Sequence, residues 1–255
     1  MRDRERLLNL PGVVSALLGA MAAIQLFVAI GPRRLVEPFF DSLAFIPLRL
    51  SFLIAPERVL AALGPKISDG DGGEQIVALL SAGPATWLTP FSYAFLHGGW
   101  THLMINALTL AAFGAPVAKR LGPWLFLWFF MACALAGALT HLALHPLDLA
   151  PVVGASAAIS GTMAAIVRFA FTPGARLGEY GAIDGREART ASLSQLGENR
   201  QAIFFLVVWF GANFLFGAFP EAAGSSEPIA WEAHIGGFLF GLFAFGAFER
   251  LARRR

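Results

Sequence analysis

The sequence predicts an all-α polytopic membrane protein, a bundle of six transmembrane helices. Three observations predict it. Of the 255 residues, 56% are hydrophobic and 14% charged, where a soluble domain is about 25% charged. Six segments are continuously apolar over about 20 residues, the length that crosses a bilayer. Lysine and arginine collect in alternate connections, as charges kept on the cytoplasmic side do. Residues 1–255 read as a single membrane domain.

The first span, 12–31, follows Met-Arg-Asp-Arg-Glu-Arg and carries no clear cleavage site, so it is expected to be kept rather than removed as a leader. A very long loop, 32–98, leads to the second span, 99–118. A tight hairpin at 119–122 turns into the third, 123–142, and a short loop, 143–150, into the fourth, 151–171. A polar connection rich in Gly, Ser and Arg, 172–200, precedes the fifth span, 201–219, and the sixth is 230–248. With no water in the hydrocarbon, each span is expected to be helical. Within the long loop, 42–64 is apolar but broken by Pro47, Arg49, Pro56, Glu57 and Arg58. A seventh span there would place Lys119 and Arg120 outside, so this stretch is expected at the interface or against the bundle. Residues 68–74, Ser-Asp-Gly-Asp-Gly-Gly-Glu, read as a solvated turn, because calcium-loop ligand spacing is not sustained. Cys133 is the one cysteine, so no internal disulfide forms.

With the N-terminus inside, 14 of the 19 basic residues are cytoplasmic, among them Lys119, Arg120, Arg168, Arg200 and Arg250. The other five, Arg33, Arg34, Arg49, Arg58 and Lys66, all lie in the first loop. Both termini are therefore expected in the cytoplasm. Arg253-Arg254-Arg255 would anchor at anionic headgroups.

Spans two, four and six then run in the same direction, from outside to inside. Near their outer ends they carry His102, with Asn106 one turn on, Ser156, and His234 at a similar depth, a few residues below the outer surface. Each has a plain structural role when taken alone. Ser156 would bond a carbonyl one turn back, Asn106 would join helices, and His234 would end a helix at the interface. Together at one depth they read as a functional site. A serine hydroxyl becomes a nucleophile when a base takes its proton, and histidine titrates near neutrality. Acyl transfer also needs donors for the developing oxyanion. Ser156 would be the nucleophile and His234 the base. His102 and Asn106, four residues apart on one helix face, would stabilise the oxyanion with the backbone N–H of Ser156.

Small residues allow the helices to meet. Span four places Gly154, Ala157, Ala158, Gly161, Ala164 and Ala165 at helical steps, and span six has Gly237 and Gly241. Such faces permit close approach, and these two are expected to bring Ser156 to His234.

Three motifs, His-x-x-x-Asn at 102–106, Gly-x-Ser at 154–156 and Ala-His-x-x-Gly at 233–237, resemble those of the rhomboid family of intramembrane serine proteases. The resemblance extends over roughly 85–245 and includes the six-helix plan, the long first loop and the run from Leu88 to His97. It implies a Ser156–His234 dyad without a third acid, with His102 and Asn106 at the oxyanion. It further implies cleavage of single-span membrane proteins near the outer end of their helix, with no cofactor. Three positions depart from common family patterns. Ala157 follows the serine where many members have glycine, and Ser160 stands where several have a tyrosine stacked on the histidine. Trp87 is followed by Leu88 rather than arginine.

The alternative is a catalytically inactive rhomboid-like protein that binds transmembrane clients. A transporter would show an inverted repeat or carboxylates in the span centres. A zinc protease would carry His-Glu-x-x-His, and an α/β-hydrolase its Gly-x-Ser-x-Gly elbow. None is present. No metal site is expected: His141 and His145 have no suitably spaced carboxylate in the sequence. Glu232 is expected to face away from His234, and His97 to brace the first loop. Span five, rich in phenylalanine, is expected to face lipid. The expected partners are transmembrane protein substrates and membrane lipid, not nucleic acid, and the composition suggests a bacterial inner membrane.

Overall fold

The computed structural model describes residues 10–68, 73–80, 83–172, 176–177, 183–184, 189–219 and 229–254. Most of the solvated turn at 68–74 lies outside them. Among the described residues, five helices are long and apolar enough to cross a membrane. Short helices fill the connection between the first two of them, and one short helix lies at the centre of the bundle. The protein is an all-α polytopic membrane bundle.

Helix α1, Gly12–Ile30, is the first long helix. The loop after it holds α2, Arg33–Leu43, α3, Pro47–Ile54, α4, Pro56–Ser68, α5, Gly73–Leu80, and the single turn α6, Thr89–Ser92. At 8 and 13 residues, α3 and α4 are too short to span, so 42–64 adds no seventh crossing. The stretch instead packs on the bundle. Phe45 and Val152 exchange backbone hydrogen bonds of 3.2 and 2.7 Å, and Ala44, Phe45 and Leu48 are fully buried.

Helix α7, Trp100–Leu121, runs three residues beyond the expected end and contains one wider π turn at Leu110–Gly114. Gly122, with φ at 78°, makes the hairpin into α8, Pro123–Leu144. Helix α9 is Ser156–Ala170, not the 151–171 expected. Residues 150–155 are not helical, held by the Phe45–Val152 pair and by Gly154 N–H donating to the Tyr93 carbonyl at 3.0 Å. At about 1.5 Å per residue α9 is about 22 Å long, against a hydrocarbon core of about 30 Å. It is therefore about 8 Å shorter than that core.

A two-residue strand pair, β1 Arg176–Leu177 and β2 Ile183–Asp184, follows. Helix α10, Leu193–Glu198, opens with a capping box from Ser192 and Gln195. Helix α11, Arg200–Ala218, is capped by Asn199, whose Oδ1 accepts from Gln201 and Ala202 N–H. Helix α12, Trp231–Arg253, closes the bundle.

The centre is α9 between α8 and α12. A Cβ on Gly237 would land on the Ala157 carbonyl, and one on Gly241 on the Gly161 carbonyl. The small-residue faces therefore meet, backbone against backbone. At the opposite end from Ser156, Phe129, Phe169 and Phe245 pack together, and Arg120 lies 4.7 Å over the Phe169 ring. Buried Glu249 there receives Arg120, Thr190 and Arg253. Arg168 donates to the carbonyls of Leu242 and Ala191 at 2.6 and 2.9 Å. Helix α11 is peripheral, with Phe204 and Phe214 exposed, and leans on α12 through Trp209 stacked 3.9 Å from Phe238.

Candidate active site

Ser156 is the first residue of α9, directly after the non-helical segment 150–155. Its backbone N–H is among those the helix leaves without an intrahelical partner. His234 lies in the first turn of α12. The glycine contacts bring the two helices close enough for His234 Nε2 to sit 2.7 Å from Ser156 Oγ. The other ring nitrogen, Nδ1, is 2.8 Å from Oδ1 of Asn213 on α11. Asn213 Nδ2 donates to the Trp209 carbonyl at 2.9 Å, which directs its Oδ1 to the imidazole. An amide oxygen only accepts, so Nδ1 carries the proton and Nε2 is left to accept from the serine hydroxyl. The result is a serine–histidine–asparagine chain across three helices.

His102 and Asn106 lie on α7 beside this chain. The Gly98 N–H donates to His102 Nδ1 at 3.4 Å, so the ring's other nitrogen is the N–H donor. That nitrogen faces Gly154. A Cβ there would come 2.8 Å from His102 Nε2 and 3.7 Å from Ser156 Oγ. Gly154 also has φ at 121°, a conformation that side chains resist. Asn106 is buried, and its Nδ2 donates to the His102 carbonyl one turn back at 3.2 Å. One of its two N–H groups is thus used within its own helix, and among the described residues it makes no hydrogen bond to another helix.

His97 lies in the first loop, against His102. It is buried, and its ring sits edge-on to His102 with centroids 5.1 Å apart. Burial, and then the neighbouring His102, push its pKa down to about 4. A neutral imidazole is therefore packed behind His102. Glu232 turns away from His234, as expected. Its carboxylate lies 3.0 Å from His145 Nε2 and 3.5 Å from His141 Nδ1. Folding thus supplies His141 and His145 with the carboxylate that sequence spacing did not.

Asn213 was not singled out in the sequence. Its signal was present as a carboxamide well inside a phenylalanine-rich helix, an intramembrane polar group. Ser160, at the position of the expected tyrosine, is buried in α9, and Asn213 is what holds His234.

A bundle of apolar helices around a short, serine-bearing central helix defines a multi-pass membrane protein with a hydrogen-bonded Ser–His pair. The Rhomboid domain profile matches residues 84–249, well over half of the chain. The chain belongs to the rhomboid family, whose members are generally intramembrane serine proteases. No curated protein matches it.

Proposed function

We propose that this protein is an intramembrane serine endopeptidase that cuts single-span membrane proteins near the outer end of their transmembrane helix. The observation that carries this reading is the 2.7 Å approach of Ser156 Oγ to His234 Nε2. As Oγ attacks the scissile carbonyl carbon, its proton passes to Nε2. The carbonyl oxygen becomes an oxyanion, for which His102 Nε2–H, the second N–H of Asn106 and the Ser156 backbone N–H are the nearby donors. His234 then protonates the departing amine, leaving an acyl-enzyme. A water, deprotonated by His234, attacks the ester and releases the second fragment. These steps use no cofactor.

The chain works as one membrane domain, with six crossings when the short α9 is counted. The 14 basic residues assigned to one side favour cytoplasmic termini in a cell inner membrane and a site toward the outer leaflet. A catalytically inactive client-binding protein is the alternative, disfavoured because both dyad residues are present and hydrogen-bonded.

The test is reconstitution with a tagged single-span substrate, followed by mass analysis of the products. Cleavage at a peptide bond near one end of the substrate helix, lost in Ser156→Ala, is expected. Intact substrate that co-purifies with wild-type protein would support the inactive binder instead.

A further inference from the structure

We propose that His141, His145 and Glu232 bind one zinc-class divalent metal ion, joining α8 to α12 at the end of the bundle that holds Ser156. His141 lies in the last turn of α8 and His145 caps that helix, with ring centroids 4.9 Å apart. Glu232, in the first turn of α12, reaches both rings. Its Oε1 is 3.0 Å from His145 Nε2 and its Oε2 is 3.5 Å from His141 Nδ1. One ligand atom from each residue lies within 4.8 Å of the other two. A tetrahedral zinc ion holds its ligand atoms about 3.3 Å apart. Side-chain adjustments on the order of 1 Å therefore close the cage.

A second observation points to a ligand. His141 is 5% exposed, and neither of its ring nitrogens has a hydrogen-bond partner among the described residues. Leaving a buried polar atom unpaired is unfavourable. A metal at Nδ1 satisfies one nitrogen. The other faces Asp148 Oδ2 at 3.6 Å, the kind of outer carboxylate that orients a metal-bound histidine. The His145 side chain is 45% exposed, which leaves an entry path and room for water as a fourth ligand. Two imidazoles with one carboxylate suit zinc, whereas magnesium and calcium take oxygen ligands. The ion would clamp the helix end two residues before His234, whether or not Ser156 cuts peptide bonds.

The test uses the full chain in detergent, without a polyhistidine tag and stripped of metal by chelation. Zinc chloride is titrated by calorimetry, and unfolding is followed with and without zinc. Wild type is expected to bind one equivalent and to gain in Tm, with magnesium giving neither. His145→Ala and Glu232→Gln are each expected to weaken binding at least tenfold and to remove the gain. His234→Ala is expected to keep both, which separates this site from the other histidines. Metal-free Tm values near wild type establish that the variants fold. Absence of zinc binding by wild type, or binding unchanged in both His145→Ala and Glu232→Gln, would overturn the proposal.

Discussion

Nδ1 of His234 lies 2.8 Å from Oδ1 of Asn213, and that bond turns the other ring nitrogen to Ser156. Asn213 contributes an acceptor without a charge, so it fixes the ring and its tautomer. Asn213→Ala is expected to lower kcat by roughly tenfold, a fraction of what general acid–base catalysis contributes, with KM and Tm little changed. Steady-state cleavage kinetics and a melting curve check this. Unchanged kcat would remove Asn213 from the positioning role.

Gly237 and Gly241 face the carbonyls of Ala157 and Gly161 at backbone contact. Gly237→Val or Gly241→Val is expected to force α9 and α12 apart and reduce cleavage, although neither glycine touches substrate. Overpacking of this kind costs about 1–3 kcal/mol, so Tm is expected to fall as well. Full activity in both variants would contradict the packing described.

Gly154 meets two constraints at once, a φ of 121° and the His102 ring. Gly154→Ala is expected to displace His102 and so reduce kcat more than KM. A Gly154→Ala protein with wild-type kcat would show that His102 tolerates the shift without loss.

Glu249 is buried and receives Arg120, Thr190 and Arg253 at the end of the bundle away from Ser156. Removing one partner of a buried ion pair costs about 3–5 kcal/mol. Glu249→Ala is expected to lower Tm markedly while retaining cleavage at low temperature. Thermal melting in detergent, with a cleavage assay well below Tm, measures both.

Much of this arrangement was legible in the sequence because it depends on depth and on residue size. Ser156 and His234 begin parallel spans, and the glycine steps at 154–161 and 237–241 mark the faces that meet. Other parts depend on helix rotation, which hydropathy does not encode in a helix apolar on every side. Asn213 was hidden for that reason among Phe204, Phe205, Phe210, Phe214 and Phe216. The start of α9 was misplaced because 151–155 is as apolar as the helix it precedes. Only the positive φ of Gly154 and the bond to Tyr93 show where the helix begins. The approach of Glu232 to His141 and His145 joins residues about 90 positions apart, and no local spacing announces it.

The central claim is that Ser156 is a nucleophile activated by His234. Labelling with a fluorophosphonate probe tests it most directly, with purified wild type compared with Ser156→Ala and His234→Ala. The account predicts that wild type is labelled at Ser156 and that neither variant is. Equal labelling of all three proteins, or of none, would contradict it.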